Sequence, residues 1–104
     1  MITTIVQFNV SEPIELEEAK NIFSGTAPKY VKVQGLIRKY YLLSNDGKTA
    51  GGVYLWKSQQ DAEKFYTQDW KEFILEKYGS DPIITYFNSP VIVDNLSEQI
   101  ICDD

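Results

Sequence analysis

The segment GLIRKYYLLSNDGKTAGGVYLW, residues 35–56, constrains the fold more than any other part of the chain. Asp46-Gly47 stands between two runs of aromatic and aliphatic residues, a short-range hairpin signal. Gly takes the positive φ of a tight turn at little cost, and Asp tolerates it. A two-residue turn there pairs Asn45 with Lys48. It then sets Tyr41 opposite Gly52, Lys39 opposite Tyr54 and Ile37 opposite Trp56. Directly opposed residues point to the same side of a sheet. One side of the hairpin therefore carries Ile37, Lys39, Tyr41, Leu43, Gly52, Tyr54 and Trp56. The other carries Arg38, Tyr40, Leu42, Gly51, Val53 and Leu55.

The flanking sequence supplies the partners for this hairpin. Ile2 to Val10 alternates as a strand, with Ile2, Thr4, Val6, Phe8 and Val10 on one side. Ser11 as N-cap, Pro13 in the first turn and acidic residues at 12, 15, 17 and 18 predict a helix start. Leu16, Ala19, Ile22, Phe23 and Ala27 continue it as an apolar stripe. Gly25 and Pro28 predict a kink, or a second short helix carrying Tyr30, before Gly35 stops the segment. Ser58 with Asp61 opens another helix, Thr67 restarts it, and Gly79 ends it. Ile83 to Asn88 reads as a fourth strand, and Val91 to Val93 as a short edge segment after Pro90.

The order β-α-β-β-α-β defines an α+β, ferredoxin-like domain with a four-stranded antiparallel sheet. We place it over residues 1–93, with 94–104 as a loose acidic tail or an arm on a partner subunit. Each helix has one apolar stripe, so both are expected on one sheet face. The hairpin side with Arg38 and Tyr40 is the more aliphatic and is assigned to the helices. The aromatic side is left open, and contiguous apolar surface of that kind marks an interface. The expectation is a homodimer joined through Lys39, Tyr41, Tyr54 and Trp56.

The residue inventory narrows the chemistry. The chain has 104 residues, 10 Lys and Arg against 15 Asp and Glu, and a net charge of −5, so nucleic acid is not an expected partner. No apolar run approaches the ~20 residues of a bilayer span, and no signal peptide is evident; a cytoplasmic protein with no membrane partner is expected. The absence of histidine removes the usual neutral-pH base and the commonest metal ligand. The single cysteine, Cys102, reads as a free thiol, and no metal site is expected. What remains is Arg38 on an apolar face, suited to hold an anionic or enolic oxygen. Tyr40 and Trp70 join it as candidate catalytic residues. Tyr66, Gln7 and Tyr86 are candidate substrate-binding residues. Lys39 against Tyr54 is expected to make a cation–π or interfacial contact.

GLIRKYYLLSNDGKTAGGVYLW, followed by AEKFYTQDW and ITYFNSPVIVDN, resembles the YdhR-like small monooxygenases. That family lies within the antibiotic-biosynthesis-monooxygenase-like dimeric α/β-barrel group. The resemblance implies a dimer whose two sheets form a barrel, and oxygenation of a small aromatic or polyketide-like substrate without metal, flavin or other cofactor. In that chemistry a deprotonated phenol or enol passes an electron to dioxygen. The pocket would lie between helices and sheet. The alternative is a non-catalytic dimeric barrel that binds a small hydrophobic or aromatic molecule or serves a structural role.

Overall fold

The computed structural model describes residues 1–103. Strands β1 (Ile2–Asn9), β2 (Leu36–Leu43), β3 (Thr49–Trp56) and β4 (Ile83–Asn88) form one antiparallel sheet in the order β2-β3-β1-β4. Helices α1 (Leu16–Thr26), α2 (Gln59–Phe65) and α3 (Gln68–Tyr78) pack on one face, and a 3₁₀ turn (Ala27–Tyr30) follows α1. This is the expected α+β, ferredoxin-like arrangement. Within the chain the sheet stays open and does not close into a barrel. Among the described residues, no helix is long and apolar enough to cross a membrane.

The hairpin register is as the turn predicts, with Tyr41 opposite Gly52 and Lys39 opposite Tyr54. The loop is longer than two residues. Ser44 N donates to Thr49 O at 2.8 Å, and Asp46 accepts from Ser44 Oγ and the Lys48 amide at 2.7 and 3.0 Å. Those side-chain bonds stabilise a four-residue loop in which Gly47 takes φ +73°. At the other end of β2 a bulge shifts the register between Leu36 and Arg38. Leu36, not Ile37, therefore faces Trp56, and Ile37 turns outward. A bulge re-aims the side chains around it.

Which face the helices cover is the reverse of the expectation. Trp56 is 0% exposed, Tyr54 2%, and both lie in the core with Ile2, Val6, Phe8, Ala62, Tyr66 and Ile74. Lys39 and Tyr41 lie on the same side, partly buried. The aromatic side thus faces this chain's own helices, so the dimer contact through Lys39, Tyr41, Tyr54 and Trp56 does not form as drawn. Arg38 and Tyr40 lie on the uncovered side with Leu42, Val53 and Leu55. The cause is visible in β1: Ile2 pairs with Trp56 and Thr4 with Tyr54, so the most apolar side of β1 continues the aromatic side of the hairpin. Aliphatic content of the hairpin alone was the wrong criterion.

The helix ends follow local chemistry with one exception. Ser58 Oγ accepts from Asp61 N at 3.2 Å, and Thr67 Oγ1 accepts from Trp70 N at 3.2 Å, so α2 and α3 each start on a hydroxyl cap. Gly79 closes α3 at φ +96°. α1 begins at Leu16, not near Ser11 and Pro13, because Ser11 N bonds Tyr78 O and Ile14 N bonds Gly47 O. Those bonds hold the linker extended. The C-terminal segment is not a loose tail either. β5 (Val91–Asp94) pairs with β6 (Gln99–Cys102) as a separate hairpin that straddles residues 93 and 94. Asp94 approaches Arg38 at 3.9 Å, and Asp103 pairs with the N-terminal amine.

Candidate active site

A cluster of rings fills the space between sheet and helices. Tyr66 and Trp70 approach at 4.9 Å between ring centroids, Tyr54 stacks on Trp56 at 6.0 Å, and Tyr30 meets Tyr41 and Tyr54 edge-on at 6.0 Å each. The polar tips are satisfied inside the cluster. Trp56 Nε1 donates to Thr4 Oγ1 at 3.0 Å, and that hydroxyl is 2.6 Å from Tyr66 OH. Trp70 Nε1 donates to Tyr30 OH at 3.3 Å, and Thr26 Oγ1 is 2.8 Å from Tyr41 OH. Burial holds the Tyr54 and Tyr66 phenols well above their usual range and pushes Tyr78 up to about 12. These phenols stay neutral at ordinary pH.

One cation sits among them. Lys39 Nζ lies 3.3 Å from the Tyr30 ring centroid, 3.7 Å from Tyr41 and 4.7 Å from Tyr54. Gly52 makes room for it: a Cβ there would come within 3.0 Å of the Tyr54 ring and 3.2 Å of Lys39 Cε. Burial pushes the Lys39 amine down to about 7. The ring faces act in the opposite sense, since each attracts the ammonium form.

Lys39, Tyr30 and Tyr41 line two adjoining spaces. Outward, along the edge of β2, is a groove of about 350 Å³ bordered also by Lys32 and Arg38. Inward, against Tyr54 and Trp70, is a chamber of about 20 Å³. The chamber holds about one water molecule; the groove is in the range of small-molecule sites. Among the described residues, no carboxylate lines either space. Nor do three or more His, Cys, Asp or Glu side chains converge to hold a metal ion.

The six residues singled out from sequence do not share one site. Arg38 borders the groove, and Trp70 lines the chamber. Tyr40 lies on the uncovered face, 53% exposed, and accepts a 3.3 Å bond from Arg38 Nη1. Gln7 is exposed on that same face, away from the groove. Tyr66 is on the helix side with its hydroxyl committed to Thr4, and Tyr86 meets its ring edge-on at 6.4 Å. Lys39 and Tyr30 were missed as site residues. Extending the register from β3 to β1 would have put Lys39 inside.

Residues 4–87 match the family described as "Putative mono-oxygenase ydhR", and the chain belongs to that family. Among curated proteins no sequence match was found. Its fold is similar to that of a monooxygenase from the gene ActVA-Orf6 of Streptomyces coelicolor, solved with nanaomycin D. The two share 18% identity with a TM-score of 0.62, over 85% of this chain and 86% of that one. It is also similar to SnoaB, a cofactor-independent oxygenase from Streptomyces nogalater, at 16% identity and a TM-score of 0.61, over 85% and 91% of the two chains.

Proposed function

We propose that this protein is a cofactor-independent monooxygenase of a small aromatic or polyketide-like phenol. The observation that carries the reading is the tyrosine-walled groove at the β2 edge, where Arg38 and Lys39 border one space whose lining holds no carboxylate, the carboxylate partner of Arg38 being Asp94 at 3.9 Å outside it. Such a site favours a flat substrate that becomes an anion. The substrate and dioxygen supply the redox chemistry: a ring CH₂ plus O₂ gives a ring C=O plus H₂O. The protein binds, orients and stabilises the anion. Arg38, held by Tyr40, takes the developing negative oxygen. Trp70 sets Tyr30 through its indole N–H, and Tyr30 forms one groove wall. Tyr66 and Tyr86 support the ring cluster behind it; Gln7 has no part in this groove.

The same reading makes the protein a cytoplasmic homodimer, with two uncovered sheet faces opposed to form the barrel. Tyr40, Ile83 and Phe87 are exposed there at 53%, 69% and 49%, a surface that a second copy would dry. The exposed free thiol of Cys102 suits a reducing compartment. The test is oxygen uptake with 1,8-dihydroxyanthrone in the presence of a chelator, with the product followed by mass spectrometry. Uptake above the uncatalysed rate, reduced in Arg38→Ala, supports the reading. Binding without uptake favours the ligand-binding alternative.

A further inference from the structure

We infer that Lys39 is the general base of this site: its Nζ takes the proton of a substrate hydroxyl at the inner end of the groove. The inference deepens the monooxygenase reading and rests on it for the later reaction with dioxygen. In the step itself one substrate O–H bond breaks and one N–H bond forms. The electron pair stays on the substrate oxygen as a phenolate or enolate, and the ammonium stays in the ring cage. No electron is transferred until dioxygen, the co-substrate, reacts.

Three features of the site support this. The first is position: Lys39 lines both the outer groove and the inner chamber, and its amine lies among the Tyr30, Tyr41 and Tyr54 rings that wall the chamber. The second is the resting state. Burial works against the ammonium, and the amine sits at about 7, close to working pH. The charged groups nearest the groove are Lys32 and Arg38, which line it, and Asp94, which lies 3.9 Å from Arg38 and outside the lining; burial alone moves the Lys39 amine. The phenols that face it are Tyr30 from the 3₁₀ turn, Tyr41 from its own strand, Tyr54 from β3 and Tyr78 from α3. Burial raises the last three, so they offer ring faces and no negative charge. The third is the product state. Once the proton arrives, three ring faces at 3.3, 3.7 and 4.7 Å receive the ammonium. A chain without histidine thus has a nitrogen base poised for neutral pH.

The experiment is an anaerobic titration of the protein with 1,8-dihydroxyanthrone, read by the absorbance of bound neutral and bound anionic forms. Without oxygen there is no turnover to obscure the proton transfer. The wild type is expected to hold the anion with a midpoint near pH 7. Lys39→Met and Lys39→Arg, neither able to accept the proton, are expected to hold at least tenfold less of it at pH 7.5. An equal anion fraction in the variants, a ligand that stays neutral on the wild type through pH 8, or no binding at all overturns the proposal. Nuclear magnetic resonance of the wild-type lysine side chains guards against misfolded variants: one amine must titrate near neutral, and its absence also overturns the proposal. Oxygen uptake is measured separately in air. Uptake with an anion that ignores Lys39 removes the base and leaves the monooxygenase reading. A Lys39-dependent anion with no uptake does the reverse.

Discussion

Replacing Lys39 by Met should stabilise the protein, and by an amount that depends on pH. Burial moves this amine from its ordinary 10.5 to about 7. Each tenfold change in proton affinity is worth about 1.4 kcal/mol, so an ammonium in this site at pH 6 costs up to about 5 kcal/mol. The Tyr30, Tyr41 and Tyr54 rings offset part of that, at about 0.5–2 kcal/mol for a favourable cation–π contact. The sign follows from proton counts. Between about pH 7 and 10.5 the unfolded chain carries a proton on Lys39 that the folded chain lacks, so wild-type stability rises with pH across that window. Met fills similar volume and carries no charge, so it lacks this contribution. Urea unfolding of both proteins at pH 6, 7.5 and 9 is the assay. The stability gap should be largest at pH 6 and narrow by about 1–3 kcal/mol by pH 9. A gap that stays level across the range would mean that Lys39 carries the same charge folded and unfolded, and the argument for a neutral amine would collapse.

Thr4→Val keeps shape but strips the hydroxyl that joins Trp56 to Tyr66, leaving two buried groups without a partner; thermal or urea melts should show a loss of about 2–4 kcal/mol. Trp56→Asp should unfold the chain, whereas Leu55→Asp should leave a folded protein that sediments as a monomer. The first puts a charge in the core and the second puts one on the uncovered face. Arg38→Ala should lower kcat/KM for oxygen uptake with 1,8-dihydroxyanthrone by about tenfold, a modest figure because the guanidinium is half exposed. Tyr40→Phe should have a smaller effect on the same assay, since it removes only the 3.3 Å bond that steadies Arg38.

The order of elements from β1 to β4, the hairpin register from Arg38 to Leu43 and the Ser58, Thr67 and Gly79 helix signals were legible because each is local chemistry. The choice of sheet face was not. It depends on which side of β1 continues the hairpin, whereas the aliphatic content of the hairpin alone pointed to the other side. A lysine reads as exposed by its type, yet Gly52 and three rings let this one turn inward. The Ser11 and Pro13 start failed for a related reason. Its backbone groups are taken by Tyr78 and Gly47, which are distant in sequence and invisible to a local capping rule.

Arg38 and Lys39 are neighbours in the chain and point to opposite faces, yet both border one groove. Only an edge strand permits that, because an interior strand has a neighbour on each side that would separate them. β2 is such an edge, and the bulge at Ile37 opens its first turn of pleat. The division of labour follows from it. The residue turned toward the helices loses water and becomes a weakly basic amine. The residue turned outward keeps its charge. A second copy laid on the uncovered face would change only the second of these environments. It would desolvate Arg38 and Tyr40 and strengthen the hold on an anion, while Lys39 stayed inside its own subunit. A dimer-breaking charge at Phe87, on the uncovered face of β4 at the opposite sheet edge from Arg38, should therefore weaken anion binding more than it alters the pH at which the anion forms. An equal effect on both would mean that the two cations do not act from separate faces.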